Sequence, residues 1–130
     1  MILVAKGLGE SWSFPKVTEI TPAVATVLCD ETANLALHLD GVRSWDSEAL
    51  RRLMNRPGSL SLNGITELTD EQAQILGTCR GGYLSLDGVV RLTDTAARNL
   101  TRHKHRVWLG GLKEVSDEGL RILISGNARV

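Results

Sequence analysis

The chain is poor in cysteine: Cys29 and Cys79 are the only two, too few for a disulfide framework and without metal-site spacing of their own. Neither sign of charge is in excess, with 15 basic against 15 acidic side chains, so no long-range field draws the chain toward nucleic acid or an anionic membrane. No apolar run approaches the roughly 20 residues that span a bilayer, so no membrane partner is expected. The opening MILVAKGLGESWS holds too few consecutive apolar residues for a signal peptide, and the expected location is the cytoplasm. The GLGE stretch at Gly7 to Glu10 lacks the remaining spacing of a nucleotide-binding loop. No nucleophile stands beside an orienting base, so no catalytic residue, cofactor or metal is expected. A length of 130 residues, 42% of them hydrophobic and 23% charged, is the balance of one globular domain.

What the chain does have is repetition. LSLNGITELTD at residues 60 to 70 returns as LSLDGVVRLTD at residues 84 to 94. Aligned on apolar-x-Leu-x-Gly, Leu39, Leu62, Leu86 and Leu109 fall at intervals of 23, 24 and 23 residues, the mark of a tandem array. A degenerate unit precedes these four, starting at Trp12, with Phe14 in the leucine position and Lys16 in the glycine position. Within a unit the first apolar pair alternates with polar residues, as in a strand, and the second half has helical spacing. Between them, pairs such as Asn63 and Gly64 tolerate positive φ and predict a sharp corner.

Helix starts are written in local chemistry. Thr69 is a good N-cap, Gln72 completes a capping box with it, and Asp70 and Glu71 suit the positive end of the helix dipole. Thr21, Thr93 and Ser116 stand at the same boundary, with Pro22, Asp94 and Asp117 following them. In the second unit either Asp46 or Ser47 fits the cap. The inward helix stripe is Ala25 and Leu28, Leu50 and Leu53, Ala73 and Leu76, Ala97 and Leu100, and Leu120 and Leu123. One unit cannot enclose its own apolar face, whereas stacked units bury a continuous ladder of about 1.5 to 3 kcal/mol per large side chain.

These residues, VWLGGL followed by VSDEGLRIL above all, resemble a leucine-rich repeat. They are most similar to the cysteine-containing subtype found in F-box proteins. Val42, Ile65, Val89 and Leu112 stand where that subtype often has cysteine or asparagine, and the short, glycine-containing units look more like divergent bacterial arrays. The resemblance covers residues 12 to 124, with residues 1–11 as an N-terminal cap segment and 125–130 as a tail. It implies an α/β fold: a right-handed solenoid of five strand-turn-helix units with a parallel sheet on its concave face. The tandem array itself leads to the expectation of a noncatalytic protein-interaction module that binds a peptide or protein partner, since a fold by itself confers no activity.

In that register three columns line the concave face. The central one is Ser13, His38, Ser61, Ser85 and Trp108, preceded by Ser11, Ala36, Ser59, Tyr83 and Arg106, and followed by Pro15, Asp40, Asn63, Asp87 and Gly110. Trp108 beside Tyr83 and Arg106 has the composition of an interface hot spot, and His38, Ser61, Ser85, Asp40, Asn63 and Asp87 complete the candidate partner-binding set. Trp108 on the last strand also reads as a shield for the end of the core. Asp40, Asn63 and Asp87 each precede a glycine and read as corner residues first. Ser61 and Ser85 are repeat equivalents, which argues against either as a nucleophile.

The basic stretch RHKHR, Arg102 to Arg106, reads as a solvated helix end, with a phosphate contact as the nucleic-acid alternative; its two histidines lack the further ligands of a zinc site. An enzyme with an unrecognised site is the remaining alternative. Five strands about 17 Å long would span on the order of 400 Å², below the ~800 Å² per partner of a standard interface. The face therefore suits a peptide, or a partner that also grips the rims. Ile2, Leu3 and Val4 read as a strand covering Trp12 and Phe14. The last unit is expected to leave an open edge near Trp108, Leu109 and Leu112, available to a second copy or a partner.

Overall fold

A computed structural model describes residues 11–32, 35–56, 58–79, 83–102, 106–126 and 128–129. The expected strand of Ile2 to Val4 lies outside these residues. Strands and helices alternate along the chain: β1 (Ser11–Ser13), α1 (Pro22–Thr32), β2 (Ala36–His38), α2 (Ser47–Leu53), β3 (Leu60–Ser61), α3 (Asp70–Leu76), β4 (Tyr83–Ser85), α4 (Asp94–Leu100), β5 (Arg106–Trp108), α5 (Asp117–Ser125) and β6 (Ala128–Arg129). The six strands form one sheet in sequential order, and every pairing is parallel. Trp12, Leu37, Leu60, Leu84 and Val107 stand opposite one another in turn, so hydrogen-bond register and sequence alignment coincide.

Two expectations about the sheet need correction. The tail contributes a sixth strand: Ala128 and Arg129 pair with Val107 and Trp108, so the chain itself lines the edge of β5 that was expected to stand open. Leu109 is fully buried there and Leu112 half-buried. The strands are also two or three residues long. At that length six strands span only about 250 Å². The chain leaves the sheet early because a tight turn follows each strand, with Val42, Ile65, Val89 and Leu112 donating 3.1 to 3.2 Å backbone bonds to Leu39, Leu62, Leu86 and Leu109.

Glycine at this turn has a different reason from the expected positive φ. None of Gly41, Gly64, Gly88 and Gly111 takes a left-handed conformation; instead, a Cβ on each would collide with the backbone carbonyl oxygen of Pro15, Asp40, Asn63 or Asp87 in the preceding unit. Neighbouring turns approach too closely for a side chain. The degenerate first unit carries exposed Lys16 at this position, and no described unit precedes it.

The helices begin where local chemistry places them. Thr69 accepts from the Gln72 amide at 3.0 Å and its own amide donates to Gln72 Oε1 at 3.2 Å, while Thr93 and Ser116 cap α4 and α5 through the hydroxyl alone, accepting from the Ala96 and Gly119 amides. Asp46 resolves the alternative in the second unit by accepting from Ala49 at 3.0 Å. Leu37, Leu60 and Leu84 on the strands, and Leu39, Leu62, Leu86 and Leu109 just after them, pack with the helix pairs as one core. Leu120 is the exception in the helix stripe and stays half-buried, while its partner Leu123 is fully buried. Trp45 takes the inward place of Leu68 in its unit and is buried. Among the described residues no helix is long and apolar enough to cross a membrane.

Candidate interaction face

Period-two alternation divides each strand between the two faces of the sheet. Leu84 and Val107 are buried toward the helices, leaving Tyr83, Ser85, Arg106 and Trp108 on the other face. The register sets Tyr83 opposite Arg106 and Ser85 opposite Trp108, so the two aromatic rings meet on the diagonal. Their centroids lie 5.3 Å apart with planes inclined by 16°, a stacked pair. Such pairs contribute about 0.5 to 1.5 kcal/mol beyond area burial. Trp108 remains 40% exposed and Arg106 is exposed, while Tyr83 is half-buried beneath its neighbours. Trp108 therefore lies on the outer face of the sheet, and β6 is the element flanking the end of the core. His38 is half-buried on β2, level with Ser13 and Ser61.

Ser61 and Ser85 depart from the expected exposed column: they are 3% and 5% exposed. Each hydroxyl is turned into a hydrogen bond with the unit before it. Ser61 Oγ donates to Asp40 Oδ1 at 2.6 Å, and the Asn63 amide donates to the same oxygen at 2.9 Å. One unit on, Ser85 Oγ and the Asp87 amide donate to Asn63 Oδ1 at 2.8 and 2.9 Å. The series closes with the Gly110 amide donating to Asp87 Oδ1 at 2.8 Å. Asp40, Asn63 and Asp87 are thus corner residues, as expected, and also rungs of a ladder between units, with one oxygen of each occupied. At the last rung the ladder changes, because Trp108 stands where the two preceding units have Ser61 and Ser85. Asp87 Oδ1 has no serine donor from β5, and among the described residues the hydrogen bond to Asp87 Oδ2 is a long one from Ser85 Oγ, at 3.5 Å.

A second ladder runs along the helix starts. Thr93 Oγ1 donates to Asp70 Oδ1 at 2.6 Å, and Ser116 Oγ donates to Asp94 Oδ1. Each cap hydroxyl therefore accepts from its own helix and donates to the first carboxylate of the helix before. Both ladders escape a reading of one unit at a time. Their signal is the coincidence of Ser-Leu-Asx and Thr-Asp phrases at equal spacing.

Arg56 is buried at 2% exposure and has no counterpart in the other units. Its guanidinium donates to the carbonyls of Leu35, Gly58 and Ser59, the last two at 3.1 and 2.9 Å, and so ties down the segment entering β3. Burial lowers its pKa, partly offset by the nearby Cys29 and Cys79 thiols. Neither cysteine forms a disulfide. Cys29 Sγ donates to the Arg52 carbonyl at 3.2 Å, and burial pushes its thiol pKa up.

The basic stretch falls partly outside the described residues, which include exposed Arg102 and Arg106 but not residues 103–105. Among the described residues no group of three or more His, Cys, Asp or Glu side chains is placed to hold a metal ion. Comparison of the chain with family models, curated proteins and solved structures gave no match.

Proposed function

We propose that the chain is a noncatalytic protein-interaction module with the architecture of a short leucine-rich-repeat solenoid. In this reading the sheet face carrying Tyr83, Arg106 and Trp108 binds a segment of a partner protein. The observation that carries it is the stacked Tyr83 and Trp108 pair, with Trp108 left 40% exposed on a sheet whose leucines are buried on the opposite face. Aromatic and arginine side chains dominate binding energy where they are collected. The ~250 Å² of sheet is small against a standard interface, so the partner adds contacts on the rims or presents a peptide. The parallel sheet in sequential order, with the repeat alignment and the strand register coinciding, supports the solenoid reading.

The test is affinity capture from the native cell extract with the intact protein and with a Tyr83→Ala, Trp108→Ser double variant. Serine is the residue at the Trp108 position in three other units, at Ser13, Ser61 and Ser85, so the variant is expected to fold. Partners held by the intact protein and lost by the double variant support the reading. Partners retained by both at equal affinity place binding elsewhere.

A further inference from the structure

We propose that the Tyr83 and Trp108 pair, together with the Asp87 carboxylate, forms a seat for a basic side chain, an arginine or lysine of a partner protein; this rests on the sheet face being the binding surface. A Cβ built on Gly110 would lie 3.1 Å from Asp87 Oδ1, so the carboxylate occupies the space a residue-110 side chain would fill. Trp108 stands in register with Ser61 and Ser85, whose side chains reach Asp40 and Asn63 of the unit before, so Asp87 adjoins the Trp108 position on this face. A cation between them would face an aromatic ring on one side and an anion on the other. Cations are held over aromatic faces within about 6 Å of the ring centre, indole best of the three rings.

The charge is available for a ligand. Neither Asp87 nor Asp40 has an ion-pair partner among the described residues, and the ladder lends Asp87 neutral donors only. Arg106 carries the same sign as the proposed ligand but sits at the start of β5, the opposite end of the strand from the turn at Gly110. Arg129 of β6 stands opposite Trp108 in the register, so the negative end of the face is the Asp87 rim, and a basic side chain is favoured there.

Three end-blocked amino acids distinguish the outcomes: arginine, its uncharged isostere citrulline, and glutamate. They are titrated into the intact protein while the Trp108 indole and Tyr83 ring resonances are followed by NMR. Arginine is expected to shift both saturably, and citrulline to bind about two- to fivefold more weakly. Asp87→Asn retains an acceptor for the Gly110 amide, as Asn63 does naturally for Asp87, so its fold is expected to hold. It should lower arginine affinity by about two- to fivefold and leave citrulline unchanged. Trp108→Ser should abolish the Tyr83 shift. Equal binding of arginine and citrulline, or tighter binding of glutamate, overturns the cation seat while leaving the face a binding surface. No response to any of the three also overturns it, and the capture experiment then decides separately whether the face binds a partner. An Asp87→Asn variant with unchanged arginine affinity removes the carboxylate from the site.

Discussion

Asn63 Oδ1 accepts from the Ser85 hydroxyl of the next strand at 2.8 Å, joining two side chains that stand 22 residues apart. The same oxygen accepts from the Asp87 amide, so one amide side chain satisfies a hydroxyl and a backbone donor of the following unit. Asn63→Ala leaves both without that acceptor, and the Ser85 side chain is buried. The expected loss is about 1 to 3 kcal/mol, read from urea denaturation. Asn63→Asp keeps the acceptor but places carboxylates in three adjacent strands about 4.8 Å apart. It should fall between Asn63→Ala and the natural protein, and recover with added salt.

Gly88→Ala is expected to destabilise by about 1 to 3 kcal/mol, because the new methyl meets the Asn63 carbonyl, which is backbone and cannot swing away. The matched comparison is Lys16→Ala in the first unit. Lys16 is exposed, and that change is expected to stay within about 0.5 kcal/mol. Equal effects at the two positions would contradict the close-approach account of the glycines.

Thr93→Ala removes the N-cap of α4 and its bond to Asp70 on α3 in one step. A loss of about 1 to 2 kcal/mol is expected, with Thr93→Ser close to neutral because the hydroxyl is retained. Thermal melting of the three proteins decides it.

Cys29 should resist alkylation at neutral pH, since burial raises its thiol pKa and holds it protonated, against the opposing pull of the Arg56 cation. A thiol whose folded pKa lies above its unfolded value favours folding fully below the unfolded pKa. Its contribution is lost as pH rises through the folded pKa, because the unfolded chain ionises first. Stability should therefore decline above about pH 9 and decline less in a Cys29→Ser variant. Denaturation midpoints across alkaline pH measure it.

Much of this fold is legible because its signals are local and recur. Thr69, Thr93 and Ser116 cap helices wherever they stand before an acidic first turn, and Leu39, Leu62 and Leu86 alternate with polar neighbours whatever surrounds them. The burial of Ser61 and Ser85 is not legible in this way. A serine on the outer side of a strand reads as exposed until the unit before it supplies a partner for its hydroxyl and the stacked neighbours cover its side chain. Arg56 has no repeat equivalent, and only the converging carbonyls of Leu35, Gly58 and Ser59 explain a buried guanidinium there.

The order of amino acids by itself determined the repeat length, the helix starts and the identity of the inward leucines, since capping and periodicity act over a few residues. Tertiary structure decided what passes between units: the reason for each turn glycine, the two side-chain ladders, the strand formed by Ala128 and Arg129, and the stacking of Tyr83 on Trp108. Those features depend on groups more than 20 residues apart in sequence being brought within hydrogen-bond or ring-contact distance. Parallel pairing supplies that proximity, and no single stretch of sequence contains it.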